Sequence, residues 1–156
     1  MARTGIVIVA STRAAAGTYE DRSGPIAVEF LRAQGLECAD ASVVPDADIR
    51  AAVDQAFAEK PAVILTSGGT GLSPDDQTVE ALEAHLERTL PGIAHAFYAA
   101  SASVPTAPLS RTVAGTRGTT FAMALPGSTG GVKDGVKVLE PILGHIIEQL
   151  EGKHEH

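Results

Sequence analysis

Two glycine-rich segments each follow an apolar run typical of a buried strand, and they are the residues best suited to chemistry. Ser67-Gly68-Gly69-Thr70-Gly71 follows the run Ala62–Thr66, and Pro126-Gly127-Ser128 follows Phe121–Leu125. Glycines let backbone N–H groups approach a phosphate with no Cβ in the way. A helix that begins next points the positive end of its dipole at the same place. Each segment therefore predicts an anion-binding turn.

The two turns are expected to lie on one edge of a sheet, because parallel strands present their carboxyl ends on the same side. Neither matches a familiar nucleotide motif. The first lacks the Gly-Lys-Ser/Thr that closes a Walker loop, and Pro74 stands where a dinucleotide fingerprint needs its last glycine. Structural alternatives stay open: a capping box with Ser73 as N-cap and Asp76 at the third helical position, and an ordinary Pro-Gly turn at Pro126.

Carboxylates accompany the first turn, and they decide which phosphate chemistry is plausible. Asp46, Asp76 and, more weakly, Glu80 would repel a phosphate unless a hard divalent cation lies between them. Mg²⁺ prefers oxygen ligands of this kind, so these residues are candidate magnesium ligands. The alternative for Asp46 is a helix N-cap.

Composition limits the function classes. The chain has 156 residues, 12 basic and 19 acidic, with a net charge of -7, which argues against a basic face for nucleic acid or an anionic membrane. Hydrophobic residues make up 44% and aromatic residues 4%, so the core is expected to consist of Ala, Val, Ile and Leu. The single cysteine, Cys38, excludes an intramolecular disulfide and is interpreted as a core thiol.

Short apolar runs alternate with longer segments of helical period, which predicts an α/β fold with a parallel sheet covered by helices on both faces. The predicted strands are Gly5–Ala10, Leu36–Val44, Ala62–Thr66 and Phe121–Leu125. The predicted helices are one through Ile26 and Leu31 that Gly35 ends, one through Ile49 and Phe57, then Gln77–Arg88, Gly92–Ala102 and Val132–Leu150.

Both ends of the chain are interpreted as flexible. The apolar run Ile6–Ala10 is too short for a secretion signal or a bilayer span, so a cytoplasmic location is expected. Residues 1–3 and the polar segment Glu151–His156 read as frayed termini. His85, His95 and His145 fall in predicted helices at spacings unlike a zinc motif, and are interpreted as structural histidines.

The chain resembles the MogA/MoaB family of molybdenum cofactor biosynthesis proteins. The resemblance is carried, in order along nearly the whole chain, by Gly17-Thr18-Tyr19-Glu20-Asp21-Arg22-Ser23-Gly24, by the first glycine turn with Asp76-Gln77-Thr78-Val79-Glu80, by Leu109-Ser110-Arg111 and by Leu125-Pro126-Gly127-Ser128. It implies a single-domain three-layer αβα sandwich, a homotrimer, and adenylylation of molybdopterin with Mg²⁺ and ATP. A downstream molybdenum-insertion enzyme is a further expected partner.

The resemblance also assigns roles to residues. Asp46 and Asp76 match the family's two essential aspartates. Arg111 is expected to meet the terminal phosphate of molybdopterin, with a surface ion pair as the alternative. The expected nucleotide- and molybdopterin-binding residues are Ser67, Gly68, Gly69, Thr70, Gly71, Ser110, Arg111, Pro126, Gly127 and Ser128.

Three positions depart from the pattern of MogA-type members. Asp75 stands where many members have a basic residue, Thr129 replaces a common proline, and Thr12 stands where aspartate is frequent. A MoaB-like molybdopterin carrier without turnover is therefore the main alternative function. A nucleotide-cleaving enzyme on the related competence/damage-inducible fold is the second.

Overall fold

The computed structural model describes residues 2–153, and it places a seven-stranded sheet between two layers of helices. The strands are β1 Thr4–Ala10, β2 Glu37–Cys38, β3 Ser42–Val44, β4 Val63–Ser67, β5 Arg88–Thr89, β6 Ala114–Arg117 and β7 Thr120–Leu125. The helices are α1 Thr12–Ala15, α2 Ser23–Ala33, α3 Ile49–Ala58, α4 Thr78–Glu83, α5 Pro91–Ala100, α6 Thr129–Leu139 and α7 Leu143–Leu150.

The sheet runs in the order β2-β1-β4-β7-β6-β5, with β3 also paired to β1. Strands β1, β4 and β7 are parallel neighbours at its centre, while β5 and β6 are antiparallel additions on one side. The central strands β4 and β7 are buried along their whole length. That burial on both faces is why their sequences are continuous apolar runs.

Each face of the sheet has its own hydrophobic core. One core joins Val7, Leu65 and Met123 to the helices α2, α5, α6 and α7, and the other joins Ile8, Ile64 and Ala122 to α3 and α4. Alternate residues of a strand point to opposite faces, so one strand supplies both cores. The predicted αβα sandwich is confirmed.

The core contains more aromatic residues than the composition suggested. Aliphatic side chains dominate it, but all four phenylalanines, Phe30, Phe57, Phe97 and Phe121, are buried there as well. The expectation of a core built from Ala, Val, Ile and Leu holds for most of the core, to which the four phenylalanines and Met123 are added.

Several predicted elements were too long. Leu36–Val44 is two short strands that both pair with β1, and Gln77–Arg88 is only the short helix α4, with Arg88 in β5. The helix predicted over 132–150 is α6 and α7, broken near Pro141, which has no N–H for a helical hydrogen bond. Gly35 ends α2 as predicted, in a left-handed conformation with φ of 88°.

The two ends of the described chain are tied together. The Arg3 guanidinium donates two hydrogen bonds, of 2.9 and 2.8 Å, to the Glu151 carboxylate. The interpretation of residues 1–3 and 151–156 as flexible stays a prediction. Met1 and residues 154–156, with His154 and His156, lie outside the described residues.

Candidate functional site

The first glycine turn begins where β4 ends, at Ser67, and its shape requires glycine. Gly68 and Gly69 have φ of 89° and 72°, a left-handed conformation that other residues rarely adopt. A Cβ on Gly68 would lie 2.3 Å from the carbonyl oxygen of Ala10, and one on Gly69 would lie 2.0 Å from Thr78 Oγ1. The backbone of this turn is thus packed directly against β1 and α4.

The second turn lies directly beside the first. Strands β4 and β7 are paired in parallel, with Ser67 opposite Leu125. The Gly68 N–H donates to the Leu125 carbonyl at 3.0 Å, and the Ser67 hydroxyl donates to the Pro126 carbonyl at 3.0 Å. A Cβ on Gly127 would lie 3.4 Å from the Cα of Gly68. The prediction that both turns share one sheet edge is confirmed.

The end of β1 completes this edge with residues that sequence reasoning did not single out as site residues. The Ser23 hydroxyl donates to the Gly127 carbonyl at 2.8 Å, and Ser11 caps α1 by accepting from the N–H of Ala14 at 3.2 Å. Arg13 lies over the Tyr19 ring, 4.9 Å from its centroid. A cavity of about 200 Å³ is lined by Arg13, Tyr19, Asp21, Ser23, Ser67 and Gly127, among others. Tyr19, Asp21 and Ser23 belong to the segment Gly17–Gly24, which carries part of the family resemblance. That segment is the sequence signal that could have identified them as site residues.

A larger cavity, of about 450 Å³, is also lined by residues of the second turn. It brings together the predicted binding residues Ser110, Pro126 and Ser128. Its remaining lining mixes apolar and polar groups: Phe97, Ser101, Ser103, Val104, Thr106, Ala107, Gly130, Gly131, Lys133 and Asp134. Pockets of this size and mixed character suit a small organic ligand.

Asp46 lies in a third cleft, of about 300 Å³, together with Thr12 and Asp75. Its carboxylate accepts from the Thr12 hydroxyl at 3.1 Å, and that hydroxyl accepts from the Asp46 N–H at 3.1 Å. Asp46 begins a short 3₁₀ turn, Asp46–Asp48, whose N-cap is Pro45. The alternative that Asp46 is a helix N-cap was wrong.

Asp76 has a different environment. Its carboxylate accepts from the Ser73 N–H at 3.0 Å and so closes the loop after the first glycine turn. Helix α4 begins at Thr78 with Gln77 as N-cap and no side-chain capping bond, so the capping-box alternative was wrong. Asp75, rather than Asp76, lines the cleft with Asp46.

Arg111 is paired with Glu80 and with backbone carbonyls of this region. Its guanidinium donates to both carboxylate oxygens of Glu80 and to the backbone carbonyls of Gly71 and Asp76. The hydrogen bond to Arg111 lowers the pKa of the Glu80 carboxyl below its ordinary value of 4.5. The ion-pair alternative for Arg111 is what the structure shows, and Glu80, predicted weakly as a metal ligand, is its partner.

The carboxylates near the first turn supply only part of the ligand set that a permanently bound Mg²⁺ would need. Among residues 2–153, no three His, Cys, Asp or Glu side chains are grouped as a metal would require. Proteins often bind Mg²⁺ through only one or two carboxylates, with substrate phosphates as the other ligands. Asp46 and Asp75 around one cleft fit an ion that arrives with a nucleotide.

Titratable side chains away from this edge have structural contacts. His85 Nε2 lies 2.6 Å from an Asp54 carboxylate oxygen, and its ring stacks on Phe57 with centroids 4.4 Å apart. His145 pairs with Gln149 at 2.8 Å. Burial raises the pKa of the half-buried Cys38 thiol, which agrees with an unreactive cysteine. In residues 2–153, each helix is too short or too polar to cross a bilayer.

These features define an α/β protein with a candidate ligand site at the carboxyl edge of a mostly parallel sheet. A family model described as a probable molybdopterin binding domain matches residues 6–145. The chain belongs to the MogA/MoaB family of molybdenum cofactor biosynthesis proteins.

Relatives of known structure agree with this assignment. The molybdopterin biosynthesis Mog protein of Mycobacterium ulcerans is 42% identical, with a TM-score of 0.90, over 97% of this chain and 99% of that one. The molybdopterin biosynthesis enzyme MoaB of Thermus thermophilus is 36% identical, with a TM-score of 0.84, over 98% of both chains. The CinA protein of Thermoplasma acidophilum, at 19% identity and a TM-score of 0.66, shares the fold alone.

Curated relatives differ in length. A molybdenum cofactor biosynthesis bifunctional protein of Chlorobaculum tepidum is 38% identical over 96% of this chain, which spans only 49% of that protein. Molybdenum cofactor biosynthesis protein B of Staphylococcus aureus strain Mu50 is 34% identical over 95% of this chain and 91% of its own length. The chain thus spans about half of the bifunctional relative but nearly all of the other.

Proposed function

We propose that this chain adenylylates molybdopterin, using ATP and Mg²⁺ and releasing pyrophosphate. The observation that carries the proposal is the convergence of two glycine-rich turns, joined by the Gly68 to Leu125 hydrogen bond of 3.0 Å. The cleft with Asp46 is lined by residues that follow β1, β3 and β4, and the cavity of about 450 Å³ in part by residues that follow β7, so both open at this edge. These two openings are the proposed places of the two anionic substrates.

The nucleotide phosphates are proposed to bind at the first turn, Ser67–Gly71, and along Pro126–Ser128. Both segments offer backbone N–H groups without bulky side chains, which suits a phosphate. Molybdopterin is proposed to occupy the larger cavity, where Ser110 and Ser128 lie with Lys133. Ser110 Oγ is also 2.8 Å from Thr70 Oγ1, so it stands between the two binding places.

The reaction needs positioning more than proton transfer. An oxygen of the terminal phosphate of molybdopterin forms a bond to the α-phosphorus of ATP. The bond from that phosphorus to its bridging oxygen breaks, and pyrophosphate leaves with the electron pair. Because the attacking phosphate is already an anion, no general base is required. The amide donors of the turns hold two anions in line, which is the main source of rate enhancement in such transfers.

Phosphate charge must also be neutralised, because Asp46, Asp75 and Asp76 add negative charge nearby. Mg²⁺ bound with ATP would supply that positive charge, with Asp46 and Asp75, which line one cleft, as proposed ligands. Asp76, whose carboxylate accepts from the Ser73 N–H in the adjoining loop, is proposed as the third oxygen donor. Arg50 lines the same cleft as Asp46, but its guanidinium already donates to Gln77 Oε1 at 2.8 Å.

A pyrophosphate assay tests the proposal. Purified protein is incubated with molybdopterin, ATP and Mg²⁺, and pyrophosphate is measured against controls lacking molybdopterin. Asp76→Asn is expected to fold, because the amide oxygen can still accept from the Ser73 N–H, yet to lose activity on the order of 100-fold or more. Asp40→Asn, at an exposed aspartate that pairs with Arg32, is the matched control and should stay active. Full turnover in Asp76→Asn would remove Asp76 from the mechanism.

A molybdopterin carrier without turnover is the second candidate function. Thr12 in place of an aspartate and Asp75 in place of a basic residue favour it, because they change the charge of the cleft that both residues line with Asp46. Tight molybdopterin binding with no pyrophosphate would support the carrier. Pyrophosphate or nucleotide cleavage without molybdopterin would instead favour a nucleotide-cleaving enzyme.

The assembly and the partner are also proposed from the family. We expect a homotrimer, with the exposed apolar side chains Leu72, Val104 and Leu109 as candidates for burial in it. Sedimentation equilibrium measures the mass directly. Transfer of the adenylylated product to a molybdenum-insertion enzyme is the expected next step, and a pull-down with the loaded protein tests it.

A further inference from the structure

Every nitrogen of the Arg111 guanidinium already has a protein partner. Nε donates to the Gly71 carbonyl at 3.0 Å, and Nη2 donates to the Asp76 carbonyl at 3.1 Å. Nη1 and Nη2 both donate to the Glu80 carboxylate, Nη2 at 3.3 Å. This forked, charge-assisted pairing fixes the plane of the guanidinium.

The carbonyls held by Arg111 lie at the two ends of one loop. Gly71 ends the first glycine turn, and Asp76 comes two residues before α4. Within the loop, the Asp76 N–H donates to the Ser73 carbonyl at 2.9 Å. The backbone N–H of Arg111 holds a third carbonyl, that of Thr70, at 2.9 Å. One residue, 31 positions after Glu80 in the chain, thus ties the whole turn and loop to α4.

Fixing a carbonyl also fixes the N–H of the next residue. The peptide unit is planar and trans, so its C=O and N–H point in opposite directions. Because the carbonyls of Thr70, Gly71 and Asp76 face Arg111, the N–H groups of Gly71, Leu72 and Gln77 are directed away from it. The contacts of Arg111 therefore set the direction of amide donors in and after the first glycine turn.

We propose that Arg111 is a positioning residue, which Glu80 holds against the backbone of residues 70–76 so that amide groups of the turn are aimed at the nucleotide phosphates. This inference rests on the proposed function for the identity of the ligand. It departs from the expectation that Arg111 binds the terminal phosphate of molybdopterin. The geometry of the loop, and not the positive charge of Arg111, is what the ligand depends on.

The variant Glu80→Gln distinguishes a phosphate-binding Arg111 from a positioning Arg111, because the two roles predict opposite effects on nucleotide binding. If Arg111 bound a phosphate, Glu80→Gln would free the guanidinium, and the anion would bind as tightly or more tightly. For a positioning Arg111, Glu80→Gln loosens the loop and weakens binding of ATP with Mg²⁺, on the order of tenfold. Glu83→Gln is the matched control, because Glu83 is an exposed residue of α4 near Arg111 that carries the same charge.

Two quantities are measured for each variant. The first is the affinity for ATP in the presence of Mg²⁺, from a titration, and the second is the rate of amide hydrogen exchange of residues 69–78. We expect faster exchange in Glu80→Gln, Arg111→Lys and Arg111→Gln, because a lysine cannot reproduce the fork. The double variant Glu80→Gln/Arg111→Gln should be little worse than Arg111→Gln alone, since both changes break one contact. The control for loss of an arginine is Arg88→Gln, because Arg88 is an exposed residue of β5.

The outcomes distinguish this inference from the proposed function. Unchanged exchange in the Glu80 and Arg111 variants, or tighter ATP binding in Glu80→Gln, would overturn the positioning role. Faster exchange in the variants, with no ATP binding by them or by the wild type, would leave the positioning of the loop established and remove the proposed nucleotide. If Arg111→Gln does not fold, Glu80→Gln and Arg111→Lys give the same test.

Discussion

The two glycine-rich turns lie side by side at the sheet edge, yet they are held in different ways. The first has two glycines in the left-handed conformation and is packed against Ala10, Thr78 and Arg111. In the second turn, Gly127 does not adopt the left-handed conformation, and the turn leads directly into α6. Ser128 is the N-cap of α6 and has extended backbone, with φ of -82° and ψ of 149°. Its hydroxyl accepts from the Gly131 N–H at 3.0 Å.

The difference shows where the shape of each turn comes from. Contacts with distant parts of the chain impose the shape of the first turn, whereas the second turn adds a local helix cap at Ser128 to the hydrogen bonds that its carbonyls accept from Ser67 and Ser23. The second depends on the first through Gly127, whose backbone lies against Gly68. Substitutions should therefore cost more in the first turn than in the second.

The largest effect is expected from Gly68→Ala. The new Cβ would lie 2.3 Å from the Ala10 carbonyl oxygen, and φ of 89° is strained for alanine. Strain and overpacking together should lower the free energy of unfolding by about 3 kcal/mol. Chemical denaturation measures this change. Gly130→Ala is the control, because Gly130 lies inside α6 with open space around it, and it should be neutral or stabilising by about 0.5 kcal/mol.

A smaller effect is expected from Ser128→Ala. Loss of the side-chain cap of α6 should lower the free energy of unfolding by about 1 kcal/mol, in the same denaturation experiment. Ser73→Ala serves for comparison, since the contact of Ser73 is made by its backbone N–H and not its hydroxyl. If Ser128→Ala lowered the free energy of unfolding as much as Gly68→Ala, the first turn would not be the more strongly constrained of the two.

The smallest effect is expected from acid. The pKa of Glu80 is lowered by Arg111, so the ion pair stabilises the fold above the ordinary value of 4.5 and is lost as pH falls through the lowered value. Both side chains are about one third exposed, at 35% and 38%, so the contribution is under about 1 kcal/mol. Wild type should exceed Glu80→Gln in unfolding free energy near neutral pH, and the gap should shrink in acid. A gap that persists when Glu80 is protonated would contradict the ion-pair origin.

The sequence predicted the centre of the fold and missed its margins. Strands β4 and β7 are buried on both faces, and continuous apolar runs of this kind are easily recognised. Strand β6 contains Gly115, and a Cβ there would lie 2.3 Å from the Arg88 carbonyl oxygen of β5. That pairing depends on a close backbone approach between distant residues, so no local pattern indicated it.

The sequence likewise predicted the position of the candidate site but not its detailed geometry. Glycine turns after apolar strands indicated where the edge lies, because the residue types there determine the backbone conformation. The directions of side chains were not predictable. Asp75 and Asp76 are neighbours in sequence, yet one lines the cleft with Asp46 and the other closes a loop. The role of Arg111 depends on Glu80, whose approach only the fold determines.

The sheet ends at both sides in very short strands, β2 and β3 at one side and β5 at the other. Such stubs offer two or three residues for backbone pairing with another chain, too few for stable strand addition. Self-association is therefore expected to use side-chain surfaces and not backbone pairing at the sheet edges. Short edge strands of this kind also disfavour edge-to-edge aggregation.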